Sequence, residues 1–306
     1  MEMVKQVKPK RKVQLDAAVA GPLFMLSAAL LFTLVNILVK LLGPEYTVWS
    51  IGFYRFFGGA VMLIAVFGRH QNPYRAHNHR LLIIRGCTGC SAFICIVTSI
   101  RLLPVSTALI IFYSFPAFSA ICSFIIYKER IGMSEIACIT TVLIGVGILF
   151  DFHLAGGLLG QVIALVGSAF AGLTVTLIRS LREKNGPVTI YLYFCTMGIL
   201  VTAPMFARHP ILPSTPAEWG MVMGLIFASL TGQLLMNQGF FYCRGWEGGV
   251  LMSSEVIFTA AVGIIFLEDP VSWRFWIGGL TILISVIALN RLKSSARNIS
   301  DRATFQ

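Results

Sequence analysis

The stretch RGWEGGVLMSSEVIFTAAVGIIFLEDPVSW, residues 244–273, decides the fold. It is an apolar, helix-length run with one carboxylate, Glu255, near its middle. At about 1.5 Å of rise per residue, Glu255 lies roughly 12 Å in from Glu247, where the apolar run begins. A bilayer's hydrocarbon core is about 30 Å thick, so this depth is close to the midplane. A carboxylate there costs several kcal/mol unless it is protonated, paired or facing water. The chain has thirteen acidic residues, and the other twelve fall in tails, loops or helix end turns. A lone acid in that position needs a functional or structural reason.

Working outward, 57% of the 306 residues are hydrophobic and 12% are charged. Apolar stretches of 18 or more residues recur, each long enough to cross a bilayer as a helix. A soluble globule is excluded. The net charge of +11 does not imply nucleic acid, because the basic residues sit in the breaks between apolar runs. Seven cysteines lie almost all inside apolar runs, as small reduced core residues do. Cys87 and Cys90 form a CxxC, but no second pair or nearby His completes a metal site. The apolar run at 17–42 far exceeds the core of a signal peptide and reads as a first transmembrane helix.

The punctuation predicts helices at roughly 17–42, 48–68, 81–100, 104–127, 131–150, 158–178, 188–207, 217–242, 247–267 and 273–291. With the N-terminus cytoplasmic, eighteen Lys and Arg residues fall in inside segments. Only Lys40, Arg101, Arg208 and Arg274 fall outside, and Arg55 and Arg85 lie within helices. A miscounted helix would erase this asymmetry, so both termini are expected to be cytoplasmic. Trp49, Trp219, Trp246, Trp273 and Trp276 each lie near a helix start, as an interfacial belt requires.

FPAFSAICSFIIYKERIGMSEIACITTVLIGVGIL (115–149) matches EVIFTAAVGIIFLEDPVSWRFWIGGLTILISVIAL (255–289) in pattern. Both have a small-residue helix, an acidic turn (Glu129; Glu268), then a helix carrying glycines. Two copies of an odd number of helices sit in the membrane with opposite orientation. The expected fold class is therefore an all-α membrane protein of ten transmembrane helices in two inverted five-helix repeats. The expected units are a basic cytoplasmic tail at 1–16, repeats at 17–150 and 158–291, and a cytoplasmic tail at 292–306.

With these two halves, the acidic turns and FYR at 53–55, the chain resembles the drug/metabolite transporter (DMT) superfamily, specifically its ten-helix EamA-type carriers. The resemblance implies a central path enclosed by helices one to four and six to nine. It also implies that the helices at 131–150 and 273–291 buttress the outside. Family members often have Glu followed by Pro in the ninth helix; here Val256 follows Glu255. The first half has Phe115 and Pro116 in the equivalent place, so the carboxylate is not duplicated.

Candidate substrate-binding or coupling residues are Glu255, Arg55, Tyr54, Asn36, Tyr113, Ser114, Gln233, Asn237 and Ser254. Amides in lipid need partners and so face the bundle interior, either as ligand contacts or as interhelical ties. Arg55 reads as a substrate or gating charge, or as a structural Arg bonded to carbonyls. Arg85, about four residues from a boundary, is expected to snorkel to the interface. Gly58-Gly59 and Gly248-Gly249 are expected to allow close helix packing. No catalytic, metal or cofactor residues are identified. The expected function is secondary transport of a small organic metabolite, amino acid-like or otherwise polar, by alternating access, with proton coupling or exchange both open. The alternative is a membrane-embedded enzyme or lipid-handling protein on the same bundle. The expected place is the bacterial inner (plasma) membrane, with a solute, lipid and protons as partners and no nucleic acid. Oligomeric state is not set by the sequence.

Overall fold

The computed structural model describes residues 17–68, 74, 76–128, 132–149, 157–182, 184–242, 251–269 and 272–304. Its helices are α1 (Ala17–Leu41), α2 (Val48–Phe67), α3 (His79–Leu102), α4 (Val105–Phe112) and α5 (Phe115–Tyr127). They continue with α6 (Met133–Leu149), α7 (Gly157–Arg182), α8 (Pro187–Arg208), α9 (Pro216–Tyr242), α10 (Ser254–Phe266) and α11 (Trp273–Thr304). Among the described residues there is no strand. Among the described residues, seven helical stretches are long and apolar enough to cross a membrane, α4 and α5 together forming one of them. Three shorter apolar helices span 136–148, 254–266 and 273–288. The chain is a multi-pass membrane protein.

The helices bury an apolar core and also expose large apolar side chains outward, as a soluble protein would not. On α1, Leu23, Leu30, Leu34 and Leu41 are exposed, whereas Ala29, Thr33 and Asn36 are buried. Leucines thus lie on the outward face, where lipid would sit, while small and polar side chains join Met25, Val35 and Val39 on the face turned to the other helices. Lipid is as apolar as Leu, so close backbone approach and hydrogen bonds hold the bundle together. Glycine supplies that approach where α7 crosses its neighbours. A Cβ on Gly167 would stand 2.7 Å from the Cys95 side chain of α3. One on Gly172 would stand 2.7 Å from the Ser119 backbone nitrogen of α5. Gly58 meets Ile226 of α9, and Gly59 lies beside Tyr191 and Cys195 of α8, the close packing expected there. Gly248-Gly249 lies outside the described residues. Trp219, Trp273 and Trp276 are exposed at helix starts, where an interfacial ring would sit.

α1 packs on α9, α3 on α7, α2 on α8 and α6 on α11, while α10 leans on α1 and α5 on α7. Thr47 caps α2 through the Ser50 amide, and Asn78, at a positive φ of 59°, caps α3 through Leu81. The break expected between the third and fourth helices is real: α3 ends at Leu102, and Leu103 is extended before Pro104.

Two stretches expected to be continuous are not. The fourth is interrupted at Tyr113-Ser114, where α4 ends and Pro116 opens α5. The ninth is interrupted at Ser253, so α10 starts afresh at Ser254. In both, a serine donates to the carbonyl three residues back: Ser114 Oγ to Ile111 at 2.7 Å, Ser254 Oγ to Leu251 at 2.6 Å. Such bonds offer the backbone an alternative to the helical ladder.

One end of the bundle is tied by charges. Arg101 donates to the carbonyls of Leu42 (2.7 Å), Gly43 (3.3 Å) and Tyr46 (3.0 Å). Lys40 donates to the carbonyls of Ile100 and Leu103, at the C-terminus of α3. There the last carbonyls have no helical partner and the dipole favours a cation. Asp269 accepts from the Ser106 amide (3.0 Å) and hydroxyl (2.7 Å), capping α4 from another part of the chain. Arg101→Ala should therefore cost about 2 kcal/mol or more, since hydrogen bonds from a charged group are among the stronger ones. A thermal melt of the purified variant checks it; an unchanged Tm would show that this clamp carries no stability.

Candidate functional site

Glu255 lies in the first turn of α10 and is buried. Because α10 begins one residue earlier, the carboxylate sits at the positive end of a helix dipole as well as deep in the bundle. Its Oε1 accepts from Asn36 Nδ2 of α1 at 2.9 Å, and its Oε2 accepts from the Tyr113 hydroxyl at 2.6 Å. Tyr113 closes α4, so one carboxylate joins the first helix and both interrupted stretches. The Tyr113 hydroxyl also stands 3.0 Å from the Met252 carbonyl, a second acceptor for its single proton. Thr259 donates to Thr33 at 3.1 Å, and Thr33 reaches the Glu255 backbone carbonyl at 3.5 Å.

A second polar cluster lies where α2, α3 and α8 meet. The Arg55 guanidinium stands over Phe93 at 4.1 Å and over Phe194 at 5.9 Å from the ring centroids. Such cation–π contacts contribute more when both groups are desolvated. Phe56 meets Phe93 and Phe194 edge-on, at 5.3 and 5.0 Å between centroids. Arg55 and Glu255 are near enough for their charges to act on each other, without a direct ion pair.

Asn36, Tyr113 and Glu255 are thus brought together by hydrogen bonds, with Arg55 nearby. The other expected residues are placed elsewhere. The Tyr54 hydroxyl donates to the Ile211 carbonyl, tying α2 to the segment after α8. Ser114 pairs with Ser168 of α7 at 2.8 Å. The Ser254 hydroxyl is occupied by its own chain at Leu251. Gln233 and Asn237 are both buried, one turn apart on α9, and Asn237 Nδ2 has no hydrogen-bond partner.

Arg85 corrects an expectation. It does not snorkel to the interface: it is 2% exposed, with its guanidinium 4.8 Å from the Phe194 ring centroid. The reason is the neighbouring glycines. A Cβ on Gly86 would stand 2.6 Å from Met197, and one on Gly89 would stand 3.0 Å from Phe194. α8 therefore presses against this face of α3 and covers Arg85. The RGCTG run at 85–89 carried that signal, because paired glycines mark a helix-contact face. Tyr191, buried beside Arg55, was also missed; nothing in VTIYLYF (188–194) sets it apart.

Membrane-crossing helices around a buried, hydrogen-bonded carboxylate and two buried arginines are compatible with a membrane carrier. The EamA-like transporter family model matches this chain twice, over residues 19–150 and 158–291. The chain belongs to that family, within the drug/metabolite transporter superfamily. It is 25% identical over 280 residues to the pseudopaline exporter CntI of Pseudomonas aeruginosa (strain PAO1), covering 91% of this chain and 99% of that protein. It is 22% identical over 303 residues to human solute carrier family 35 member G1, covering 92% of this chain and 81% of that one. A solved crystal structure superimposes with a TM-score of 0.61 at 17% identity, covering 89% of this chain and 96% of the other. That last likeness concerns the fold alone.

Proposed function

We propose that this protein is a secondary carrier of a small polar organic solute, working by alternating access between inverted five-helix halves at 17–150 and 158–291. Glu255 is its coupling or substrate carboxylate, and Arg55 stands beside the same path. The observation that carries this reading is the Glu255 carboxylate, held by Asn36 of the first half and by Tyr113 at the break of the fourth stretch. Bonds that join the halves through one titratable group are what an access change can make and break.

The helix pairings support the inverted halves. Exchanging the two halves turns the α1–α9 contact into α7–α3 and the α1–α10 contact into α7–α5, and all of these pairings occur. The same exchange relates the breaks at Ser114 and Ser254, which share one side-chain-to-backbone hydrogen bond. That two transporters are among the relatives supports transport over membrane-embedded enzymatic chemistry.

The Tyr113 hydroxyl suits a group that changes charge. When Glu255 is ionised, Tyr113 donates to Oε2. When Glu255 is protonated, its own O–H can donate to the Tyr113 oxygen, and Tyr113 then donates to the Met252 carbonyl. The proton can leave or arrive without stranding a buried polar atom, which limits the cost of titration in an apolar interior.

Counterflow in proteoliposomes tests the class. A carrier exchanges labelled solute without chemical change; a modified product, or no saturable exchange for any solute, would defeat the proposal. The proposed orientation places both termini in the cytoplasm of a bacterial inner membrane, with the 209–215 segment outside. It rests on the asymmetry of Lys and Arg along the sequence. In a background lacking native cysteines, Ser214→Cys should react with an impermeant reagent on intact cells. Reaction only after the membrane is breached would overturn this orientation.

A further inference from the structure

The cluster at Arg85 is not used by the proton chemistry of Glu255, yet it holds buried donors with no acceptor. Arg55 and Arg85 are 7% and 2% exposed, and among the described residues neither forms an ion pair. Arg55 Nε, Arg85 Nε and Arg85 Nη1 are all buried without a hydrogen-bond partner. The Tyr191 hydroxyl sits beside the Arg55 guanidinium, within reach of the charge on Arg85 as well. A Cβ on Gly59, one turn on from Arg55, would stand 3.2 Å from that hydroxyl, which places it against the α2 backbone. Both guanidiniums stand by the Phe194 ring, Arg85 at 4.8 Å and Arg55 at 5.9 Å from its centroid.

Two buried cations side by side repel, and aromatic faces satisfy none of their N–H groups. A buried donor left without an acceptor costs about 1–3 kcal/mol, and more when it is charged. The Glu255 carboxylate is engaged elsewhere, by Asn36 and by Tyr113, and among the described residues it forms no hydrogen bond with either arginine. What the cluster lacks is a negative group with several lone pairs, spread widely enough to meet two planar forks and a hydroxyl. Carboxylate and phosphate oxyanions have that form.

We propose, on the carrier reading above, that Arg85, Arg55 and Tyr191 form an oxyanion subsite around Phe194 that takes the carboxylate or phosphate group of the transported solute. The substrate class is then a small organic anion or zwitterion. A purely cationic solute leaves this cluster unmatched.

The test uses the full chain in lipid nanodiscs, with sodium succinate and inorganic phosphate as probes at constant ionic strength made up with sodium chloride. At least one probe should raise Tm by several degrees beyond chloride, and the preferred one separates carboxylate from phosphate recognition. Arg85→Gln should weaken that binding at least tenfold. Arg85→Lys should restore it only in part, because the ammonium keeps the charge but not the fork. Tyr191→Phe should weaken it several-fold while keeping the buried ring that packs beside Gly59; this variant carries the test if Arg85→Gln misfolds. The subsite is overturned if neither probe exceeds chloride, or if a folded Arg85→Gln or Tyr191→Phe protein binds like wild type. The carrier reading fails differently: probe binding would persist and depend on Arg85, while wild-type vesicles showed no saturable counterflow.

Discussion

Glu255→Gln should abolish the response of transport to a pH gradient while leaving solute exchange measurable. The substitution keeps size and removes titration. The glutamine oxygen can still accept from Asn36, and its amide can donate to the Tyr113 hydroxyl, which then donates to the Met252 carbonyl. The variant thereby mimics the protonated carboxyl with every hydrogen bond intact, so its Tm should not fall below that of wild type. Gradient-driven accumulation should drop at least tenfold, the loss that corresponds to about 1.4 kcal/mol of coupling. If Glu255 instead contacts the solute directly, exchange falls with accumulation, and the two readings separate in one pair of assays. Transport like wild type over roughly pH 5.5–8 would make the carboxylate structural.

Much of the fold was legible because bilayer thickness imposes a length and a composition on each crossing segment. The apolar runs locate α1, α2, α3, α7, α8 and α9 to within a few residues. The interruptions at Tyr113-Ser114 and Ser253 were not legible. An apolar run reads the same whether its helix is continuous or broken, and the serine that bonds its own backbone looks like any other polar residue. This matters for Glu255, since the break puts it in the first turn of a helix instead of the middle of one.

The site was half legible for a related reason. A lone carboxylate in an apolar run is conspicuous, and Asn36 and Tyr113 were identifiable as polar groups needing interior partners. Their pairing with Glu255 spans more than a hundred residues of sequence, and no local pattern encodes it. Depth along a helix was a poor guide for Arg85, because burial there depends on the helix pressed against it. The relevant signal was lateral: Gly86 and Gly89 admit α8. Tyr54 shows the converse, a polar residue whose hydroxyl bonds a segment outside the helices.

Gly198→Ala should produce a large structural effect for one added methyl group. Gly198 lies on α8, buried, and a Cβ there would land on the Phe56 ring of α2. Ordinarily a ring at the edge of a core swings aside, but Phe56 is wholly buried and wedged edge-on between Phe93 and Phe194. Those two rings hold the Arg55 and Arg85 guanidiniums, so moving Phe56 moves the aromatic support of both cations. Overpacking a core costs about 1–3 kcal/mol, and this position, with a ring in the way and charges behind it, should fall at the upper end. The variant's Tm should drop by roughly 5 °C or more, and any anion binding at Arg85 should weaken with it. Phe56→Leu alone removes ring volume and should also destabilise. Combined with Gly198→Ala, the smaller side chain leaves room for the methyl group, so the double variant should be more stable than the two losses added together. Strict additivity of the two losses would show that α2 and α8 are not in register through this ring, and that Phe56 does not couple helix packing to the arginine cluster.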